Sequence, residues 1–190
     1  ADIAKLATQL VSEGYIAQGL QSLRQHGKKL KVLLGQRRIP EEAWPEREVE
    51  ALLHTLASMD TNNFPGIAGG GEREARILSP MVARRHFHLG HGIGRSGDVA
   101  EIQPKAAGSS LINKLTNALA LDFLHLCGLT RAARAVILPT ATGMSLALSM
   151  LTLRTQRPAA EFVVWPRIDQ KACFKSILTA GLKPLVIENL

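Results

Sequence analysis

Glycines 92, 94 and 97 surround Arg95 and Ser96 in the run His91-Gly92-Ile93-Gly94-Arg95-Ser96-Gly97-Asp98, and Gln103 and Lys105 follow shortly after. Glycine opens the backbone to positive φ and lets a ligand approach main-chain N–H groups. Successive N–H groups in such a loop form a concave nest for an anion, and the fork of an arginine matches two phosphate oxygens at once. Residues 92–105 therefore read as a phosphate-holding loop, with Arg95, Ser96 and Gln103 as the candidate contacts. A plain glycine-rich surface turn is the alternative. No Gly-Lys-Ser/Thr follows at Walker A spacing, and no strand leads directly into the loop as a dinucleotide fingerprint requires.

A second constellation lies at Ala141-Thr142-Gly143, where an apolar run passes into a helical pattern. Backbone N–H groups at a helix start, helped by the Thr142 hydroxyl, suit a dianionic phosphate. An ordinary turn with a threonine cap reads equally well. Gln170 and Lys171 stand at a similar junction after Trp165-Pro166. His86, His88 and His91 are close in sequence, but no Asp, Glu or Cys completes a ligand set, so no metal is expected. Cys127 and Cys173 sit inside patterned segments and form neither a disulfide framework nor a zinc site.

The elements that must position these groups follow from periodicity. Residues 1–60 are expected to be helical: Ile3, Leu6, Leu10, Tyr15, Ile16, Leu20, Leu23, Leu30, Leu33 and Leu34 recur at helical spacing. Pro40-Glu41-Glu42 predicts a break and a new acidic helix start, whose apolar face is Val49, Leu52, Leu53 and Leu56. Asp60-Thr61-Asn62-Asn63-Phe64-Pro65-Gly66 is a dense turn signal that closes this arm. The run 82–88 predicts a helix leading toward the loop. Ser109 or Ser110 is expected to cap a helix with Leu111, Ile112, Leu115, Leu119 and Phe123 on its buried face, and Gly128 to end it. Residues 135–138 predict a buried strand, 144–148 a helix, 162–165 a strand, 170–179 a helix ended by Gly181, and 185–187 a third strand. That alternation implies an α/β fold with parallel pairing.

The bulk numbers bound the function. The chain has 190 residues, enough for a genuine core, and 46% hydrophobic residues exclude a disordered chain. No apolar run reaches membrane-spanning length and no leader pattern opens the chain, so a cytoplasmic protein is expected. A net charge of +7 favours a polyanionic partner such as RNA; the cluster Lys28, Lys29, Lys31, Arg37 and Arg38 reads by default as a solvated charged face, and more sharply as an RNA-backbone patch. Aromatic residues at 4% argue against single-strand stacking platforms.

Residues 71–74, 82–86, 91–98, 103–110, 141–145 and 165–171 together resemble the O-phosphoseryl-tRNA:selenocysteinyl-tRNA synthase family, more weakly before Asp60. The resemblance implies the N-terminal part of a type I PLP-dependent transferase fold, like aspartate aminotransferase. Residues 1–60 would be a helical arm for assembly into a homotetramer, and 61–190 the start of the large domain. It implies pyridoxal 5′-phosphate as cofactor, with Arg73, Ala141, Thr142, Gly143 and Gln170 around it. Arg95, Ser96 and Gln103 would hold the substrate's phosphate. Glu72, otherwise an exposed helix-start charge, would repel the carboxylate of free phosphoserine. The implied reaction converts O-phosphoseryl-tRNA(Sec) to selenocysteinyl-tRNA(Sec) with selenophosphate. The lysine that forms a Schiff base with the cofactor would lie beyond Leu190, so no catalytic residue is assigned and the 190 residues alone are expected to be inactive. The rival reading is a non-catalytic product acting as an assembly or tRNA-binding module.

Overall fold

The computed structural model describes residues 2–64, 77, 79–90, 98, 100–167 and 170–188. The chain forms two compact units, residues 1–137 and 138–190. In the first, α1 (Asp2–Ala7), α2 (Glu13–Gln36) and α3 (Glu46–Ala57) precede a short 3₁₀ turn (Thr61–Asn63), then α4 (Pro80–Arg85) and α5 (Ala107–Leu126). The second holds α6 (Thr142–Gln156), β1 (Phe162–Pro166), α7 (Lys171–Thr179) and β2 (Lys183–Ile187).

The arm is helical as its periodicity demands. α2 runs unbroken through Gly14, Gly19, Gly27 and Gly35, and ends where Arg37 turns left-handed at φ 54°. The next helix begins at Glu46 rather than directly after Pro40, because Pro45 serves as the residue before the first turn. Its fixed φ and missing N–H suit a helix start, and Glu46 and Glu48 then face the positive end of the helix. Leu33, Leu52, Leu56 and Leu115 form the buried core of this unit, with Leu30, Leu34, Trp44, Leu111, Ile112 and Leu119 packed around them. Each leucine so buried contributes about 1.5–3 kcal/mol.

α5 starts at Ala107, earlier than a Ser109 or Ser110 cap would place it, and Ala106 provides no capping side chain. The cap comes from elsewhere: Asp60 accepts the Ser109 N–H at 2.9 Å. An antiparallel bridge between Asp60 and Ala106 holds the two segments together. The C-terminal end follows expectation. Gly128 adopts φ 93°, and the N–H groups of Gly128 and Leu129 return to the carbonyls of His125 and Leu124 at 3.0 and 2.9 Å. This is the doubly bonded, glycine-dependent helix ending.

In the second unit β1 and β2 pair in parallel, Phe162 opposite Lys183 through Pro166 opposite Ile187, with α7 as the crossover. Ile177, Ala180 and Leu182 form its core against Met150, Val163 and Trp165. Gly181 ends α7 at φ 70°, and Arg154 Nη1 donates to the Ala180 carbonyl at 2.9 Å across the same turn. Lys183 lies 2.7 Å from Glu161, and its ammonium holds the Glu161 carboxyl below the usual carboxylate range.

The strand expected at residues 135–138 does not form. A strand exists only within a ladder, and among the described residues none pairs with this segment. The Ile137 N–H donates instead to Asn117 Oδ1 at 2.8 Å, and Val136 and Ile137 stay about half exposed.

Gly108 marks the closest approach of α5 to α3. A Cβ there would lie 1.7 Å from the Leu56 carbonyl oxygen. Backbone cannot rotate aside as a side chain can, so Gly108→Ala should destabilise the chain by about 1–3 kcal/mol or more, the range of overpacking. A denaturant titration reads this directly, and an unchanged midpoint would contradict the close packing.

Candidate functional site

Two places in the molecule gather the groups singled out from sequence. The first lies in residues 1–137, at the start of α5. Residues 91–97, with Arg95 and Ser96, and residues 72 and 73 lie outside the described residues, but both flanks of the glycine loop are described. Gly90, just before it, donates its N–H to Ser109 Oγ at 2.9 Å. Gln103, after it, donates its N–H to Ser110 Oγ at 2.9 Å. Ala100 is held by Lys114 Nζ at 2.7 Å, and the Lys105 carbonyl by the Thr61 hydroxyl at 3.0 Å. Asn63 Nδ2 donates to the carbonyls of Ala57 and His88, both at 2.9 Å, and so ties α3 to the residues entering the loop.

The serine pair is itself held from behind. Ser109 Oγ donates to Asp60 Oδ2 while its N–H meets Oδ1. Asp60 is 1% exposed and Gln103 2%. A buried carboxylate is costly unless donors and positive potential surround it. Here the first turn of α5 supplies both. Asp60 was legible in the sequence only as a turn residue. Its partner lies 49 positions away, so no local pattern announces the contact.

The second place lies in residues 138–190, where the first turns of α6 and α7 meet. Ser176 Oγ donates within 2.8 Å of the Gly143 carbonyl, and a Cβ on Gly143 would sit 3.5 Å from Ala172 Cβ. Neither helix carries an acidic residue in its first turn. Ala141 precedes α6 without a side-chain cap, so that side chain does not engage the N–H groups of the first turn. Thr140 and Ser145 share a hydroxyl–hydroxyl bond of 2.6 Å beside it. Gln170 precedes α7, and its Oε1 accepts the Ala172 N–H at 3.2 Å. Ala141, Thr142, Gly143 and Gln170 thus share one end of a small α/β unit, where two positive helix ends converge on chemistry suited to an anion.

A third feature belongs to the arm. A groove of about 970 Å³ runs along α2, with Lys28, Lys29, Arg38 and Trp44 in its walls. Lys29 is bonded there to Glu48 at 2.5 Å. No described helix is long and apolar enough to cross a membrane.

The second unit, with its parallel strands joined through α7 and its helix starts gathered at one end, has the local architecture of an α/β fold. The sequence profile of the O-phosphoseryl-tRNA(Sec) selenium transferases matches residues 59–190, and the chain belongs to that family. Relatives bearing that name include one from Dictyostelium discoideum, 49% identical over 183 residues, which cover 95% of this chain and 38% of the relative. One from Caenorhabditis elegans is 48% identical over 86% of this chain and 34% of its own length. One from the archaeon Methanopyrus kandleri is 36% identical over 95% of this chain and 41% of its own. The crystal structure of an archaeal O-phosphoseryl-tRNA(Sec) selenium transferase superposes with a TM-score of 0.81 at 30% identity, covering 95% of this chain and 41% of that one. The chain therefore spans about two-fifths of the length of the relatives it matches, and carries the fold of that part.

The Ser176 hydroxyl, in the second turn of α7, lies 2.8 Å from the Gly143 carbonyl of α6 and 2.7 Å from the Ala172 carbonyl of its own helix, so its single proton is shared between them. Ser176→Ala should cost about 1 kcal/mol, the usual net worth of such a bond, with more if the Gly143 carbonyl is left unsatisfied. Thermal unfolding of the two proteins measures it. An identical midpoint would show that the contact contributes nothing.

Proposed function

We propose that this chain is the N-terminal part of a pyridoxal-phosphate-dependent enzyme that converts O-phosphoseryl-tRNA(Sec) to selenocysteinyl-tRNA(Sec) with selenophosphate. The observation that carries this reading is 49% identity to a curated transferase across 95% of the chain. The cofactor's phosphate fits the donor set at residues 141–143: a helix start without an acidic side chain, beside a second such start. Ala141 and Gly143 would hold it through backbone N–H groups and Thr142 through its hydroxyl as well. Gln170 and Arg73 would lie along the cofactor. When bound, that group supplies the electron sink that makes departure of a phosphate from a serine side chain feasible.

The chain's own residues then do three things. Arg95, Ser96 and Gln103 hold the phosphate of phosphoserine and stabilise its charge as it leaves. Glu72 sets a like charge against the α-carboxylate of free phosphoserine, which the tRNA ester lacks. The arm's helices serve assembly, a homotetramer being the proposed state, in a cytoplasmic setting. A second reading rests on the groove walled by Lys28, Lys29 and Arg38: an RNA-binding module without catalysis.

Selenocysteinyl-tRNA formation by a complete transferase carrying this sequence separates the two readings, since a binding module forms none. In that enzyme Arg95→Ala should lower turnover of subsaturating phosphoseryl-tRNA on the order of ten- to a hundred-fold while cofactor stays bound, because a charge-assisted bond is worth about 1.5–3 kcal/mol. Unchanged turnover would remove Arg95 from the site. Glu72→Gln should strengthen binding of free phosphoserine more than binding of phosphoseryl-tRNA. Equal changes in the two dissociation constants would dispose of the filter.

A further inference from the structure

Side-chain hydrogen bonds tie α6 to α7 at both ends. At the far end Arg154 Nη1 donates to the Ala180 carbonyl at 2.9 Å. At the near end the Ser176 hydroxyl reaches the Gly143 carbonyl at 2.8 Å and the Ala172 carbonyl at 2.7 Å. Ser176 is 3% exposed, so water does not compete for its proton. Its grip on Gly143 reaches further than that carbonyl. The Gly143 C=O and the Met144 N–H belong to one planar peptide group and point in opposite directions. Ser145 donates its N–H to the Ala141 carbonyl at 2.9 Å, the bond that opens the helical ladder. The Met144 N–H lies one position earlier and so points out of the helix start, with those of Thr142 and Gly143. Holding the carbonyl end of the peptide sets the direction of its N–H end.

The two helix starts differ in what they leave open. Gln170 Oε1 accepts the Ala172 N–H at 3.2 Å, so α7 caps its own first turn. α6 has no capping side chain before it and no acidic residue in its first turn. Its N–H groups are the ones presented to an anion, and α7 is the support behind them. The glycine lets that support act on backbone directly, since a Cβ on Gly143 would already stand 3.7 Å from Ser176 Oγ.

We propose that Ser176, acting through the Gly143 carbonyl, is a positioning residue that fixes the first-turn peptide of α6 for the phosphate of the cofactor. The inference rests on the reading of residues 141–143 as the holder of that phosphate. Ser176 is buried behind the first turn, and its proton is spent on the two carbonyls. It acts on how much order the donors must still acquire when phosphate binds, and donors fixed beforehand have less to lose.

The test uses a complete transferase carrying this sequence, freed of cofactor and titrated with pyridoxal 5′-phosphate and, separately, with pyridoxal, which lacks the phosphate. Dissociation constants are read from fluorescence, without turnover. Ser176→Ala should weaken pyridoxal 5′-phosphate about three- to tenfold, the factor lost with one neutral hydrogen bond, and leave pyridoxal unchanged. Ser176→Thr, which keeps the hydroxyl, should restore the affinity. Arg154→Met unties the far end of α6 and should lower the melting temperature while keeping the preference for the phosphorylated ligand. A merely structural Ser176 would weaken both ligands alike, and that pattern in Ser176→Ala would overturn the proposal, as would unchanged affinity for both. Should Ser176→Ala not fold, the phosphorus-31 resonance of the bound cofactor in Ser176→Thr and Arg154→Met decides: a shift confined to Ser176→Thr supports the proposal, and a shift in neither or in both overturns it. If the unsubstituted enzyme holds pyridoxal as tightly as its phosphate ester, the phosphate reading of residues 141–143 falls and takes this inference with it. If the enzyme prefers the ester and Ser176→Ala keeps the full preference, the inference alone falls.

Discussion

A carboxylate sealed from water at the first turn of α5 is the constraint on which the rest of residues 1–137 depends. An ionised group at 1% exposure is tolerable only where donors and positive potential are fixed around it. Asp60 meets that condition in one place, at the third residue of α5, where the Ser109 N–H, the Ser109 hydroxyl and the helix end converge. Placing Asp60 there brings the end of α3 onto the start of α5. That approach is close enough to exclude any side chain at Gly108. The leucines of α2, α3 and α5 then close a common core. The ionic joint and the apolar core therefore impose the same geometry, which is the mutual consistency expected of a sequence with one folded state.

The smaller unit reaches its geometry by different means. Gly181 lets the chain reverse after α7 and enter β2 alongside β1, and Arg154 binds the carbonyl exposed by that reversal. Packing of α6 on α7 through Gly143 and Ala172 sets two helix starts side by side, with no acidic residue in either first turn. Val163 and Trp165 pack on the core beside α7, whereas Phe162, Val164 and Leu185 remain exposed. Parallel strands are ordinarily covered on both faces, so this sheet displays an apolar face of the kind that a larger α/β domain encloses.

Phosphate is the ligand proposed for both units, but by two mechanisms. In the second unit the proposed holder is the backbone of a helix start, whose field is always present and needs no ordering. In the first the proposed holder is the arginine-bearing glycine loop, whose flanking residues Gly90 and Gln103 are bonded to Ser109 and Ser110. The family to which the chain belongs acts, by its name, on a substrate carrying a phosphoryl group.

Periodicity in the sequence was sufficient for the helical arm, the helix from Lys171, both strands of the small sheet and the glycine endings at Gly128 and Gly181, because each is decided within one or two turns of chain. The glycine loop and the Ala141-Thr142-Gly143 turn were likewise visible as local chemistry, and the long motifs around them sufficed to name the family. Sequence failed wherever the deciding partner was remote. Residues 135–138 have strand composition but no ladder among the described residues. The serines at 109 and 110 have capping composition but bind loop stems instead, since α5 begins before them. Asp60 resembled any turn aspartate until folding brought Ser109 to it from 49 residues away. Local preference determines what a segment can form. Which hydrogen-bonding group meets which buried charge is settled only when distant segments are packed together and water is excluded.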